Sequence, residues 1–299
     1  MITKLTIRGI EFKERFLKST LFVGGVCLVT LMAAMILTLG IGAWPALIEI
    51  GPHFITHSDW NPVFHEYGAL PLIYGTVVVA LLALVIALPL ALSVALMTNI
   101  IIRHQKIKRS LNSILDVLSG IPSVVFGLWA LVTIVPIVRL IQQAYDMPPY
   151  GVSILSAVIT LAIMIIPYAA ALIREVIKTI PKTLIDTTYA LGATQMDLIK
   201  TVVLPYSKSG IIAGGILALG RALGETMAVS MLIGNVTQIP SGILDQGNTI
   251  SSLLANEFSE AVDPLTHSSL MVLALAIFGV TTMMSILGRR MIRWFQKKN

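Results

Sequence analysis

The sequence predicts an all-α membrane protein with six transmembrane helices, and three observations carry that prediction. Of 299 residues, 56% are hydrophobic and 12% charged, and the charges fall in blocks between long apolar runs, where a soluble domain would interleave them. The six runs are 20–43, 70–97, 114–141, 152–173, 211–234 and 268–288; each reaches the ~20 residues a helix needs to cross the hydrocarbon, about twice a barrel strand. Finally, 19 of the 21 Lys and Arg lie before run one, between runs two and three, between four and five, or after six, whereas loops 44–69, 142–151 and 235–267 hold none. By the positive-inside rule both termini are cytoplasmic. The net charge of +6 is thus a topology signal and calls for no nucleic acid.

Residues 1–19 form a cytoplasmic tail in which Leu5, Ile7, Ile10, Phe12 and Phe16 alternate with basic side chains, suiting a short helix that lies in the membrane interface. Run 20–43 is too long for a signal-peptide core and reads as an uncleaved anchor, with Cys27 as a packing residue and no disulfide framework. In the outer loop 44–69, His53, His57 and His65 lack any metal-ligand spacing, so the loop is expected to be solvated and without chemistry. Residues 70–288 form the core. Pro71 and Pro89, Pro122 and Pro136, and Pro167 predict kinks in runs two, three and four. The segment Ser119-Gly120-Ile121-Pro122-Ser123 offers polar groups to a pathway at mid-bundle, or else the kink serves packing alone. Asp116 is placed at the cytoplasmic start of the third helix, where it complements the helix dipole; Arg139, near the outer end, snorkels to headgroups or meets an incoming anion.

Between runs four and five the chain stays cytoplasmic over 174–210, longer than a turn requires. Pro181 starts, and Leu204-Pro205 closes, one or two short helices lying across the membrane surface for a partner to grip. In loop 235–267, Ile250, Leu253, Leu254, Phe258 and Ala261 recur at helical spacing, giving a short amphipathic helix that docks a soluble partner or plugs the gap between helices five and six. Residues 289–299 are the second cytoplasmic tail.

The run Ile211 to Gly234 contains the chemistry. Arg221 and Glu225 lie four apart, so on one helix they share a face and pair. Gly214, Ala218 and Ala228 on that face are small and leave room beside the charges. A lone charge at mid-bilayer costs about 2.5 to 3.5 kcal/mol on insertion scales, so it marks a substrate path; the bland alternative is a bridge that pins packing, helped by the close-approach pair Gly220 and Gly224. With Glu225 as proton site, the same pair would also suit a proton-coupled secondary carrier.

One pattern extends across the cytoplasmic segment: Asp186-Thr187-Thr188, three residues, Gly192, nine residues, Val202, one residue, Leu204-Pro205. In spacing it resembles the ATPase-docking loop in permease subunits of binding-protein-dependent ABC importers, with two Thr standing where that pattern has Ala. The resemblance assigns docking to Asp186, Ala190, Gly192, Ala193, Leu204 and Pro205, a short helix seating in a groove of the ATPase. A second stretch, Gly220-Arg221-Ala222-Leu223-Gly224-Glu225-Thr226-Met227-Ala228-Val229, resembles the phosphate-specific importer permeases of the PstC type, as do Trp60-Asn61-Pro62, Tyr67-Gly68-Ala69-Leu70-Pro71, Tyr74-Gly75-Thr76 and Gly120-Ile121-Pro122-Ser123. This likeness implies a type I ABC importer permease in a bacterial inner membrane. It also implies a second permease of the PstA type, two copies of a cytoplasmic ATPase and a periplasmic phosphate-binding protein. The implied substrate pathway is Arg221 with Glu225, Thr226 and Ser123, since a guanidinium holds inorganic phosphate by paired hydrogen bonds. Sulfate or molybdate would suit the same cation. No Gly-x-x-x-x-Gly-Lys-Ser/Thr loop occurs, so no enzyme activity or cofactor is expected of this chain and ATP is left to a partner.

Overall fold

The structure is a computed structural model that describes residues 2–102 and 104–297, with side chains from residue 17 onward except 103, 291, 292 and 294–297. Arg103 and Lys298 lie outside the described residues, as do the side chains of Lys4, Arg8, Lys13, Arg15, Lys297 and the apolar set Leu5 to Phe16. Among the described residues six helices are long and apolar enough to cross a membrane, spanning Leu17–Glu49, Leu70–Ile101, Ser123–Ala144, Ile154–Lys178, Gln195–Leu223 and Pro264–Arg290. All six predicted spans are present, with shifted boundaries.

Helix α1 (Ile2–Glu49) is continuous, so the N-terminal tail prolongs the first span instead of turning into the interface. Its apolar side chains are largely exposed, and Cys27 is exposed with them, contrary to the packing role expected of it. Its outer end is held: Ala43 and Ala46 are buried, and the Ser268 hydroxyl donates to the Gly42 carbonyl while accepting from the Ala46 amide.

The outer loop is not the solvated segment expected. After α2 (His53–Thr56), strands β1 (Trp60–Asn61) and β2 (Glu66–Tyr67) pair antiparallel. Phe54, Trp60 and Tyr67 are buried in edge-to-face contacts 5.4 to 6.3 Å apart, and any Cβ at Gly68 would collide with the His57 carbonyl. The aromatic residues that resembled a family motif are thus a small core, while the three histidines stay exposed on its surface.

Helix α3 (Leu70–Leu96) presents Ala80, Ala83, Ala87, Ala91 and Ala95, all buried, as a stripe that lets backbones approach closely. The third predicted span divides into α4 (Gln105–Gly120) and α5 (Ser123–Ala144), because Pro122 has no amide proton to donate and pushes Ile121 into extended backbone. Asp116 therefore lies near the end of α4, where the dipole argument fails. Its Oδ1 instead receives Arg174 Nη2 at 3.4 Å, while Nη1 donates to Asn112 Oδ1 at 2.7 Å. Arg174 itself belongs to α6 (Ile154–Lys178) and is buried, not in the cytoplasmic loop as its charge had placed it.

After α6 come α7 (Lys182–Ala190) and α8 (Gln195–Leu198), matching the one or two short helices expected between the fourth and fifth spans. Leu204-Pro205 does not close that stretch: a π-helical turn over Ile199–Val203 carries α8 directly into α9 (Leu204–Leu223), the wider turn accommodating the proline. Gly210 and Gly214 lie against Val176 and Ile173, which seats α9 on α6. Beyond α9 are α10 (Met227–Leu232), packed on α5 where Gly127 meets Ala228 and Met231, then α11 (Ile250–Glu257) and α12 (Pro264–Lys297). Of the two roles open to the outer helix, α11 takes the plug: Ile250 and Leu253 are buried with Leu72, Trp60 and Leu270.

Candidate functional site

The predicted Arg221–Glu225 pair does not form. The expectation required one helix through both residues, but α9 ends at Leu223 and the chain unwinds over Gly224, Glu225 and Thr226 before α10. Among the described residues no ion pair links the two. Glu225 is buried (8% exposed) and its Oε1 accepts the Ala228 amide at 3.3 Å, so the carboxylate satisfies a first-turn donor of α10. Thr226 Oγ1 donates to the Gly224 carbonyl at 3.3 Å. Both side chains hold the break between the two helices.

Arg221 is thereby left without a carboxylate. Its Nε is buried with no hydrogen-bond partner, and its guanidinium carbon lies 4.1 Å from the centroid of the Tyr168 ring. A desolvated cation–π contact contributes about 2 kcal/mol, which offsets part of the cost of the charge but fills none of its in-plane donors. The group lines a cleft of about 540 Å³ between α6, α9 and α12, walled by Leu172, Ile216 and Leu217, with Ser285 and Arg289 on the α12 side. No ion pair involves Arg289 among the described residues, so the cleft holds two cations and no counter-charge. An apolar cleft with uncompensated guanidinium donors has the chemistry of an oxyanion site.

Ser123 opens α5 at the break after Pro122 and is partly buried. No hydrogen bond joins Ser123 or Thr226 to Arg221 among the described residues; the tie from this break to the arginine runs through Ser119, whose carbonyl accepts the Tyr168 hydroxyl at 2.5 Å. Gly220 and Gly224, read as a close-approach pair, meet nothing from another helix among the described residues and leave that face of α9 open.

In the segment expected to dock the ATPase, Asp186, Ala190 and Gly192 are exposed, Ala193, Leu204 and Pro205 partly so. Gly192 closes α7 with φ +83°, a left-handed turn that a side chain would strain. Thr194 and Asp197 form a reciprocal cap on α8. Thr187 and Thr188, which stand where the docking pattern has Ala, donate back to the Thr183 and Leu184 carbonyls, so neither hydroxyl is left seeking a partner. Leu191 at the turn is 84% exposed.

Sequence reasoning missed Tyr168, Arg174 and Arg289. Arg174 and Arg289 were absorbed into the topology count, and Tyr168 sits beside Pro167 with no charge of its own. Only the pairing of an aromatic in run four with the cation in run five would have singled it out, and that pairing is tertiary.

The family model for the binding-protein-dependent transport system inner membrane component matches residues 87–298. The chain is 35% identical to the phosphate transport system permease protein PstC of Mesorhizobium japonicum, covering 96% of this chain and 92% of that one. It is 38% identical to the protein of the same name from Pasteurella multocida, covering 90% and 88%. Among solved structures it is similar to a chain of the MetNI methionine ABC transporter in an inward-facing conformation, at a TM-score of 0.61 and 16% identity over 79% of this chain and 99% of that one. A second is a chain of a bacterial alginate ABC transporter in complex with its alginate pentasaccharide-bound periplasmic protein, at a TM-score of 0.60 and 16% identity over 91% and 95%. The all-α fold of six spans is that of an ABC importer permease.

Proposed function

The chain belongs to the family of binding-protein-dependent inner-membrane transport components, in its PstC branch, and from that premise we propose that it is the transmembrane permease subunit of an ATP-driven inorganic phosphate importer. The observation that carries the reading is the Arg221 guanidinium, partly buried, uncompensated by any carboxylate and facing a cleft. Phosphate arriving there fills in-plane donors that the protein leaves open, and it leaves again because a single chain supplies only part of its ligation. Glu225 and Thr226 support the unwound link behind the arginine, and Ser123 stands at the facing break in α4–α5.

In this reading the open Gly220–Gly224 face of α9 meets a second, PstA-type permease, and alternating access is the motion of the two against each other. The α7–α8 elbow with Asp186, Ala190, Gly192, Ala193 and the Leu204-Pro205 base seats one of two cytoplasmic ATPase copies, with Leu191 covered by it. A periplasmic phosphate-binding protein delivers to the outer cap. Both termini are cytoplasmic, membrane lipid covers α1, and the chain needs no cofactor of its own since the partner binds ATP.

The test is uptake of radiolabelled phosphate in cells lacking other phosphate carriers. Arg221→Gln is expected to abolish uptake while the ATPase still co-purifies; near-normal uptake would remove Arg221 from the pathway. Competition by sulfate or molybdate as strong as by unlabelled phosphate would move the cargo to those oxyanions.

A further inference from the structure

We propose that Tyr168 is a positioning residue for Arg221: its ring orients the guanidinium for the anion, and its hydroxyl fixes that ring to the break between α4 and α5. The inference rests on the reading of Arg221 as the anion's ligand, and it assigns a role to a residue in a different span.

Two contacts define the arrangement. The ring centroid lies 4.1 Å from the guanidinium carbon, and the hydroxyl oxygen lies 2.5 Å from the Ser119 carbonyl. A guanidinium hydrogen-bonds in its own plane, whereas an aromatic ring engages its face. Stacked at that distance, ring and phosphate would not compete: the ring would hold the guanidinium from one side and leave the in-plane donors to the cleft. With Nε buried and without a hydrogen bond, no ion pair or other ring contact competes with Tyr168 in orienting the group among the described residues.

The hydroxyl contact is equally specific. In a continuous helix the Ser119 carbonyl would accept from the amide of Ser123, but the helix stops at Gly120 and restarts at Ser123, so that acceptor is left open. Tyr168 fills it. The orientation of Arg221 is thereby tied to a proline-broken segment on a third helix, and a rearrangement at Ile121-Pro122 would be transmitted to the guanidinium through one side chain.

A tyrosine used only for packing would be replaced by any apolar side chain of similar size, and the experiment exploits that difference. Maximal phosphate uptake is measured alongside the amount of assembled complex for Tyr168→Leu, Tyr168→Phe and Tyr168→Trp, each also combined with Arg221→Lys. Losing the ring in Tyr168→Leu is expected to lower uptake about tenfold at unchanged assembly, while Tyr168→Phe and Tyr168→Trp, which keep an aromatic face but lose the tether to Ser119, are expected to lose about threefold. Combined with Arg221→Lys, which cannot present a planar fork, Tyr168→Leu should cost no more than a further factor of about two. Parental uptake by Tyr168→Leu, or a full and independent loss on top of Arg221→Lys, overturns the proposal. If Tyr168→Leu fails to assemble, Tyr168→Met replaces it with the same expected loss. Loss of uptake in Arg221→Gln with parental uptake in Tyr168→Leu sinks only the positioning role; parental uptake in Arg221→Gln sinks the pathway reading itself.

Discussion

Helices α1 and α6 are both apolar enough to span a bilayer, yet two-thirds of the most apolar stretch of α6 (67%) is buried inside the protein and none of that of α1 (0%). The difference does not lie in hydropathy. On α6 the buried face carries Ala157, Ala162, Ala169 and Ala170, small groups that admit neighbours, Ser156 and Thr160, whose hydroxyls are satisfied locally, and Arg174, which bonds Asn112 of α4. On α1 the exposed surface is Leu21, Phe22, Val29 and Leu37 around Gly24 and Gly25, with nothing opposite. Apolarity in a membrane therefore states that a segment spans; association is decided by where close approach is possible and where a polar group needs a partner, because lipid is as apolar as leucine.

Glycine substitutions break this comparison most sharply. A side chain at Gly210 would drive into Val176 of α6, whereas one at Gly24 meets open space. Gly210→Leu is expected to prevent accumulation of the protein in membranes, and Gly24→Leu to leave accumulation and uptake at parental levels, both read by immunoblot and phosphate uptake. Equal effects would mean that α1 packs on a partner as tightly as α6 packs here.

The next effect concerns Arg174, the buried cation of α6. Arg174→Met keeps its length but removes the donor to half-buried Asn112 and to the largely exposed Asp116, at a net cost of about 0.5 to 1.5 kcal/mol for the hydrogen bond lost. Thermal unfolding in detergent should start several degrees lower, and restoring Asp116→Asn in the same chain should recover part of the loss. Gly192→Trp, at the exposed turn with φ +83°, is expected to spare the bundle and lower co-purification of the ATPase instead. Intact ATPase binding by that variant would mean the docking surface lies elsewhere.

The spans, their number and the two short helices between the fourth and fifth spans were legible because hydrophobic length and the punctuation by proline and glycine are one-dimensional signals. Pro122 was read as a kink and proved a full break, since a proline and the extended residue before it together end a helix. The site was legible as a cation and illegible as a geometry. The spacing of Arg221 and Glu225 promised a pair only if a helix ran through Gly224, and the chain unwinds there, sending Glu225 to the α10 amides and Arg221 to Tyr168. Tyr168 and Arg221 are 53 residues apart, a pairing that no local period encodes.

The smallest effect lies on the outer cap, where the comparison between buried and exposed groups can be read as a pH response. Burial pushes the Glu257 carboxyl up, against the opposing hydrogen bond from Trp60 and with some help from Glu260. A carboxyl whose folded value lies above its unfolded one binds its proton more readily when folded, so its contribution to stability is present at low pH and lost as pH rises from the ordinary glutamate range through the raised value. Glu257→Gln keeps an oxygen that can accept from Trp60 Nε1, which now lies 2.9 Å from the carboxylate, and removes the titration. Because Glu257 is only half-buried, solvent screening limits the effect to about a few tenths of a kcal/mol. Amide hydrogen exchange at the Trp60–Tyr67 pair, corrected for intrinsic rates, should weaken with rising pH in the parent and lose that dependence in the variant; parallel profiles in the two proteins would place the pH dependence of the cap on Asp263, whose carboxylate is held low chiefly by the Thr266 amide and whose contribution has the opposite sign.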